Sequence, residues 1–131
     1  MKIRKGFTKG KARKPALEMN KTEQAYWDKV IVPAQQAGRI DKAVYERLKV
    51  VLAPGSTYTP DFFLTTEDGD LIVVEIKGFW REDDRVKIKV AADTFSSFYW
   101  YAVTMTTTKV KKVEGFGGSD TGKFPWLFQF S

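Results

Sequence analysis

Asp61, Glu75 and Lys77 are the residues of this chain whose types and spacing could do chemistry. They stand in two apolar, β-favouring runs, Asp61-Phe62-Phe63-Leu64-Thr65-Thr66 and Leu71-Ile72-Val73-Val74-Glu75-Ile76-Lys77. The turn residues between the runs predict a hairpin. A two-residue turn at Asp68-Gly69 would pair Asp61 with Ile76 and turn Glu75 away. A three-residue loop, Glu67-Asp68-Gly69 with Gly69 left-handed, pairs Thr66 with Asp70 and Asp61 with Glu75. The longer loop is the expectation, because side chains alternate with period two and it alone sets Asp61, Glu75 and Lys77 on one face. Phe63 and Val73 share that face. Phe62, Leu64, Ile72, Val74 and Ile76 fill the other.

A strand apolar on both faces is a central strand covered by helices. Two carboxylates packed side by side in it repel each other and resist desolvation. A divalent cation relieves both problems, and hard oxygen ligands suit Mg²⁺. Lys77, beside them, can orient or help deprotonate a water, or hold the charge that develops on a phosphate. Taken singly, Pro-Asp opens turns and Glu-X-Lys marks solvated strand faces. Together on one apolar hairpin, they favour a metal site.

Composition narrows the chemistry. The chain of 131 residues has 43% hydrophobic and 15% aromatic content, which predicts one folded domain. There is no cysteine and no histidine, which excludes disulfides, Cys/His zinc sites and histidine-dependent nucleases or triads. Carboxylate, lysine and metal remain. Lys plus Arg is 22 against 16 acids, a net charge of +6, which favours a polyanionic partner such as nucleic acid. No apolar run reaches the roughly 18 residues of a membrane span, and the basic N-terminus lacks the apolar stretch of a signal peptide. A cytoplasmic protein is the expectation.

The quoted residues carry a resemblance. Pro60-Asp61, thirteen residues, then Glu75-Ile76-Lys77 resembles the PD-(D/E)XK nuclease motif. The longer run Tyr58-Thr59-Pro60-Asp61-Phe62, Glu75-Ile76-Lys77-Gly78-Phe79-Trp80 and Asp83-Asp84-Arg85 is similar to phage endonuclease I Holliday-junction resolvases and related small phage nucleases. It covers roughly residues 20–105, with its specific part at 57–85. The resemblance implies an α/β restriction-endonuclease-like fold, a central mixed sheet flanked by helices. It implies a Mg²⁺-dependent DNA endonuclease, with Mn²⁺ as substitute and Ca²⁺ supporting binding but little cleavage. Asp61 and Glu75 would hold the metal, with the Ile76 carbonyl and Glu23 from an N-terminal helix as further ligands, and Lys77 would assist the attacking water. The implied substrate is branched DNA cut by a homodimer, in a phage protein acting in a bacterial cell. The chain departs from that pattern in a longer hairpin turn and a different C-terminal segment. A nicking or linear-duplex nuclease would carry the same motif. A non-catalytic nucleic-acid-binding module and a partner-dependent subunit are the other readings.

The remaining elements must position these residues. Residues 1–17 carry seven basic side chains, Lys11, Arg13 and Lys14 among them, and no acid. They read either as a solvated tail or as an arm that orders on a phosphate backbone. Residues 18–131 form the domain. Asn20 and Glu23 make a capping box for a helix over 20–37, which Pro33 should kink or end and Gly38 close. Glu23 has the cap as its plain role, yet leans to the side of Tyr26, Trp27 and Val30. Over residues 39–52, Ile40, Val44, Leu48 and Val51 fit a helix while Leu48, Val50 and Leu52 fit a strand; the resemblance implies a strand over 45–52, and Asp41 could cap a short helical turn before it. A helix over 82–95 begins with three acids that match its dipole. Its basic residues Arg81, Arg85, Lys87 and Lys89 read as phosphate contacts or as a solvated face, and contact is favoured because the helix follows the metal strand directly. Residues 97–105 predict a strand parallel to the hairpin's second strand, and 114–123 a glycine-rich loop. The apolar segment 124–130 should pack on the domain, on a second subunit or on a partner.

Overall fold

The computed structural model describes residues 18–130, so the arm over 1–17 lies outside the described residues. Its hairpin has the longer loop. Thr66 N–H donates to the Asp70 carbonyl at 2.9 Å and Gly69 N–H to the Thr66 carbonyl at 3.0 Å. Gly69 has φ +91°, a left-handed conformation that favours glycine. Strands β4 (Phe62–Thr66) and β5 (Leu71–Lys77) therefore pair Phe62 with Val74 and Leu64 with Ile72. Continued one step, that register sets Asp61 opposite Glu75.

The fold is α/β. Before the hairpin come β1 (Ile40–Tyr45), β2 (Val50–Ala53) and β3 (Ser56–Tyr58), and after it α3 (Glu82–Thr94), β6 (Tyr99–Met105) and β7 (Val110–Phe116). A five-stranded mixed sheet runs β1-β4-β5-β6-β7, with β5 and β6 parallel and the other neighbours antiparallel. β5 is central, as its two apolar faces demand. Phe62, Leu64, Ile72, Val74 and Ile76 pack with the N-terminal helical segment and the C-terminus. Val73 and the partly buried Phe63 pack on the other face, with Ile88, Ala91 and Ala92 of α3 and with the small β2–β3 hairpin. Each fully buried aliphatic or aromatic side chain contributes about 1.5–3 kcal/mol.

The N-terminal helical rod opens on the capping box. Asn20 Oδ1 accepts the Glu23 N–H at 2.8 Å, and Glu23 Oε1 accepts the Asn20 N–H at 2.9 Å. α1 (Lys21–Tyr26) passes through a π-helical stretch, Trp27–Ile31, into α2 (Val32–Gln36). Pro33 therefore does not end the helix. The wider turn before it, in which Val32 N–H reaches back to Trp27, accommodates a residue that has no N–H and crowds the preceding turn. Gly38, at φ +79°, closes the rod: its N–H bonds Gln35 and the next N–H bonds Ala34.

Three expectations change. The strand expected over 45–52 is broken: β1 ends at Tyr45, residues 46–49 cross over, and β2 begins at Val50. Asp41 lies within β1, not at a helical cap. β1 is an edge strand, so its outward positions can be polar, and the helical spacing of Ile40, Val44 and Leu48 is coincidental. In the region expected to be loop, β7 extends to Phe116. Its weakly apolar pattern fits the opposite sheet edge.

Segment 124–130 packs on its own domain. Phe124 and Leu127 are buried. Tyr26 Oη donates to the Leu127 carbonyl at 2.9 Å, and the Phe124 and Phe128 rings meet Tyr101 edge-on. No helix among the described residues is long and apolar enough to cross a membrane.

The loop geometry is testable. Gly69→Ala should cost about 1–2 kcal/mol, the penalty of a left-handed L-residue. Urea unfolding should show a lower midpoint with unchanged slope, and an unchanged midpoint would contradict the loop assignment.

Candidate metal centre

The acidic residues converge where β4 begins and β5 ends. Asp61, Glu75 and Glu23 are all less than a tenth exposed, at 7%, 6% and 8%. Asp61 is held at the mouth of the ladder: its Oδ2 accepts the Ile76 N–H at 2.7 Å, and its own N–H meets Glu75 Oε1 at 3.3 Å. The same register sets Pro60 opposite Ile76, and proline has no N–H to donate to the Ile76 carbonyl. Within an extended strand a residue's N–H and C=O point the same way. The Ile76 carbonyl therefore faces the Asp61 side.

Glu75 lies on the α3 face. Tyr58 Oη, from β3, donates to its Oε1 at 2.8 Å. Lys77 Nζ stands 3.3 Å from its Oε2 and 3.6 Å from Asp84 Oδ2. Glu23 approaches from the helical rod, and Tyr45 Oη, from β1, donates to its Oε1 at 2.7 Å. The capping hydrogen bond and the tyrosine thus converge on one oxygen, so the cap role and a site role coexist.

Sequence reasoning missed Glu46. Carboxylate oxygens of Glu23, Glu46 and Asp61 all lie within 4.8 Å of one another. Glu46 is the one described non-glycine residue with positive φ, +52°, and its N–H donates to the Asp61 carbonyl at 2.8 Å. That backbone costs about 1–3 kcal/mol and turns the chain from β1 across the end of β4. Nothing in the local pattern around Glu46 marks it, since the residue is defined by a tertiary turn. Glu75 stands outside this trio and joins it through Asp61.

The electrostatics follow from burial. Desolvation, then the neighbouring Glu75 charge, push Asp61 up to about 9. Desolvation also raises Glu75, although the Tyr58 hydroxyl, Lys77 and the Asp61 N–H oppose it. Burial pulls Lys77 down, but the Glu75 and Asp84 carboxylates outweigh it, so its pKa is raised and it is an ammonium at neutral pH. Burying a carboxylate costs several kcal/mol unless its charge is matched. Lys77 is one positive charge against four acids. Burial and mutual repulsion raise the affinity of the Asp61–Glu75 pair for protons. A divalent cation would meet the imbalance of charge, and the all-oxygen donor set fits Mg²⁺ or Mn²⁺.

The expected phosphate contacts separate. Arg85 is withdrawn: its Nη1 and Nη2 bond the two Glu114 oxygens at 2.7 and 2.8 Å, and its guanidinium lies 5.2 Å from the Trp80 ring. A planar fork matched to a carboxylate is not free for phosphate. Lys89 lies on the same side, in a cleft with Glu82, Val86 and Phe116. Lys87 lies one helical step beyond Asp84 on the site side, and Arg81 and Lys87 are both exposed. Lys11, Arg13 and Lys14 lie outside the described residues.

No protein-family model matches the chain, and neither a curated protein nor a solved structure matches it at a significant level.

The raised Asp61 pKa sets a stability profile. The folded state holds this proton more tightly than the unfolded chain, so the stabilisation is complete below the ordinary carboxylate pKa and is lost as pH rises to about 9. No histidine titrates in that window, and Glu114, held low by Arg85, titrates below it. In chelator, Tm should fall from about pH 5 to about pH 9. Asp61→Asn, which keeps an acceptor for the Ile76 N–H, should make the profile shallower, with the raised Glu75 supplying the slope that remains. A wild-type Tm that rises across this range would contradict the assignment.

Proposed function

We propose that this protein is a metal-dependent DNA endonuclease of the restriction-endonuclease-like type, acting on branched or otherwise interrupted duplex. The observation that carries this reading is the buried convergence of Asp61 and Glu75 beside the Lys77 ammonium, with Glu23 at the same centre. The PD-(D/E)XK resemblance assigns these same residues to one site.

Asp61 and Glu75 would hold a Mg²⁺ ion, with Glu23 and Glu46 closing its other side and the Ile76 carbonyl facing it. Such an ion supplies Lewis acidity toward the phosphate and lowers the pKa of water. The chain's own residues do the rest. Tyr58 and Tyr45 fix Glu75 and Glu23, as outer hydrogen bonds orient ligands elsewhere. Lys77 is cationic, which favours charge stabilisation over proton abstraction. Its Nζ donates to the attacking water or to a non-bridging phosphate oxygen. The water oxygen attacks phosphorus as it gives up a proton to bulk water, the bond to the leaving sugar oxygen breaks, and that oxygen takes up a proton from bulk water in return. Lys87 and Arg81, both exposed, would meet the flanking phosphates.

A non-catalytic binding module is the second reading. It is disfavoured because paired buried carboxylates facing DNA without a cation would repel it.

Cleavage should be measured on a four-way junction, a nicked duplex and a linear duplex in Mg²⁺, Mn²⁺ and EDTA. Cutting is expected with either ion and not in EDTA. Glu75→Ala and Lys77→Ala should each lose about 10²–10⁴-fold in rate. Binding without cutting under every condition would move the assignment to the module. Tyr58→Phe should weaken metal affinity about 10–100-fold while leaving the fold intact, and unchanged affinity would remove the positioning role from Tyr58.

A further inference from the structure

Phe79 is at odds with its surroundings. At 70% exposed, it is the most exposed large apolar side chain among the described residues, whose other aromatics are all buried or half-buried. It stands two residues beyond Lys77 and four beyond Glu75, where the chain leaves β5 for α3. Its neighbours explain how it is displayed. Trp80 is pinned, with its Nε1–H on Thr104 Oγ1 at 3.0 Å. The Trp80 ring lies 5.8 Å from Lys77 Nζ, 5.2 Å from the Arg85 guanidinium and 6.4 Å from the Phe116 ring. On the other side, a Cβ added at Gly78 would meet nothing within 4 Å. The loop is thus anchored at Trp80 and open at Gly78, and it holds an aromatic ring in solvent two residues past Lys77.

Resting on the nuclease reading, we infer that Phe79 is a base-stacking residue that selects DNA carrying an exposed base face next to the scissile phosphate. An uninterrupted duplex offers no such face, since every base is stacked on both sides. A gap does, a nick or branch point does where its stacking opens, and stacking on an aromatic side chain tolerates any base. The ring fixes the position of the interruption, and its spacing from Lys77 and Glu75 fixes which phosphate enters the site. Exposure in the free protein is the cost of that selection, since the ring is covered when substrate is bound. Trp80 is a scaffold for the loop and does not stack on DNA.

The test uses the full chain with Ca²⁺, so that binding is read without cutting. Phe79→Ala should weaken binding to a gapped duplex and a four-way junction by about five- to a hundredfold, the range for one lost base stack. Continuous duplex of the same sequence should change far less. Phe79→Trp should restore the preference. Ultraviolet crosslinking of 5-iododeoxyuridine at the gap edge should map to Phe79. Tm and its rise with Mn²⁺ should match wild type in both variants, as expected for an exposed residue. Equal affinities of wild type and Phe79→Ala for gapped DNA, or a crosslink mapping elsewhere, would overturn the assignment and leave the nuclease intact. A DNA-free dimer that Phe79→Ala dissociates would overturn it too, by making the ring a subunit contact. A wild type that neither binds nor cuts any DNA would remove both this inference and the nuclease reading.

Discussion

Negative charge buried at the end of a hairpin is the constraint on which this structure turns. Asp61, Glu75 and Glu23 are each less than a tenth exposed, and Glu46 closes on two of them. In water such carboxylates would hold solvent and keep apart. Here the ladder fixes Asp61 through the Ile76 N–H, β3 fixes Glu75 through Tyr58, and β1 fixes Glu23 through Tyr45. Each tyrosine hydroxyl donates to a carboxylate, and the desolvation and negative charge around it push its own pKa up, so it remains a donor. The fold spends stability to hold acids together.

Charge ordering extends outward from that centre. Lys77 bridges Glu75 and Asp84, so the first turn of α3 is tied to the last residue of β5. Arg85 turns the other way, to Glu114 of β7, and holds Trp80 against the sheet edge. α3 is thereby clamped at its N-terminal end by two ion pairs of different character. One is part of the acidic centre, and the other is a bidentate surface pair that locks the helix to β7. Exposed ion pairs contribute little singly, so the function of the second lies in fixing the loop that carries Phe79.

The hairpin was legible because three independent local rules agree on it. Period-two alternation and a glycine able to take the left-handed position both point to a hairpin, the facing of the carboxylates selects the longer loop, and the structure has it. The capping box at Asn20 and Glu23, the parallel strand after α3 and the two-sided burial of β5 were legible for similar reasons. The edges of the sheet were not. β1 and β7 each bury only one side, so their patterns are weak, and β1 reads as well with helical spacing. Pro33 was misleading because its cost is met by the π-helical turn before it, a compensation that no local rule supplies. Glu46 and the pairing of Arg85 with Glu114 were beyond reach, since each is created by a contact between segments far apart in the chain.

A metal ion bound at this centre would compete with protons for the Asp61 and Glu75 oxygens. Isothermal titration calorimetry with Mn²⁺ near pH 7, repeated in buffers of different ionisation enthalpy, reads that competition directly. Binding should release protons, because burial and mutual repulsion raise the affinity of the Asp61–Glu75 pair for them. Glu75→Gln should abolish the heat of binding, and Asp61→Asn should reduce the proton release. Mn²⁺ binding absent from the wild type, or binding without proton release and indifferent to both substitutions, would contradict a metal centre at Asp61 and Glu75.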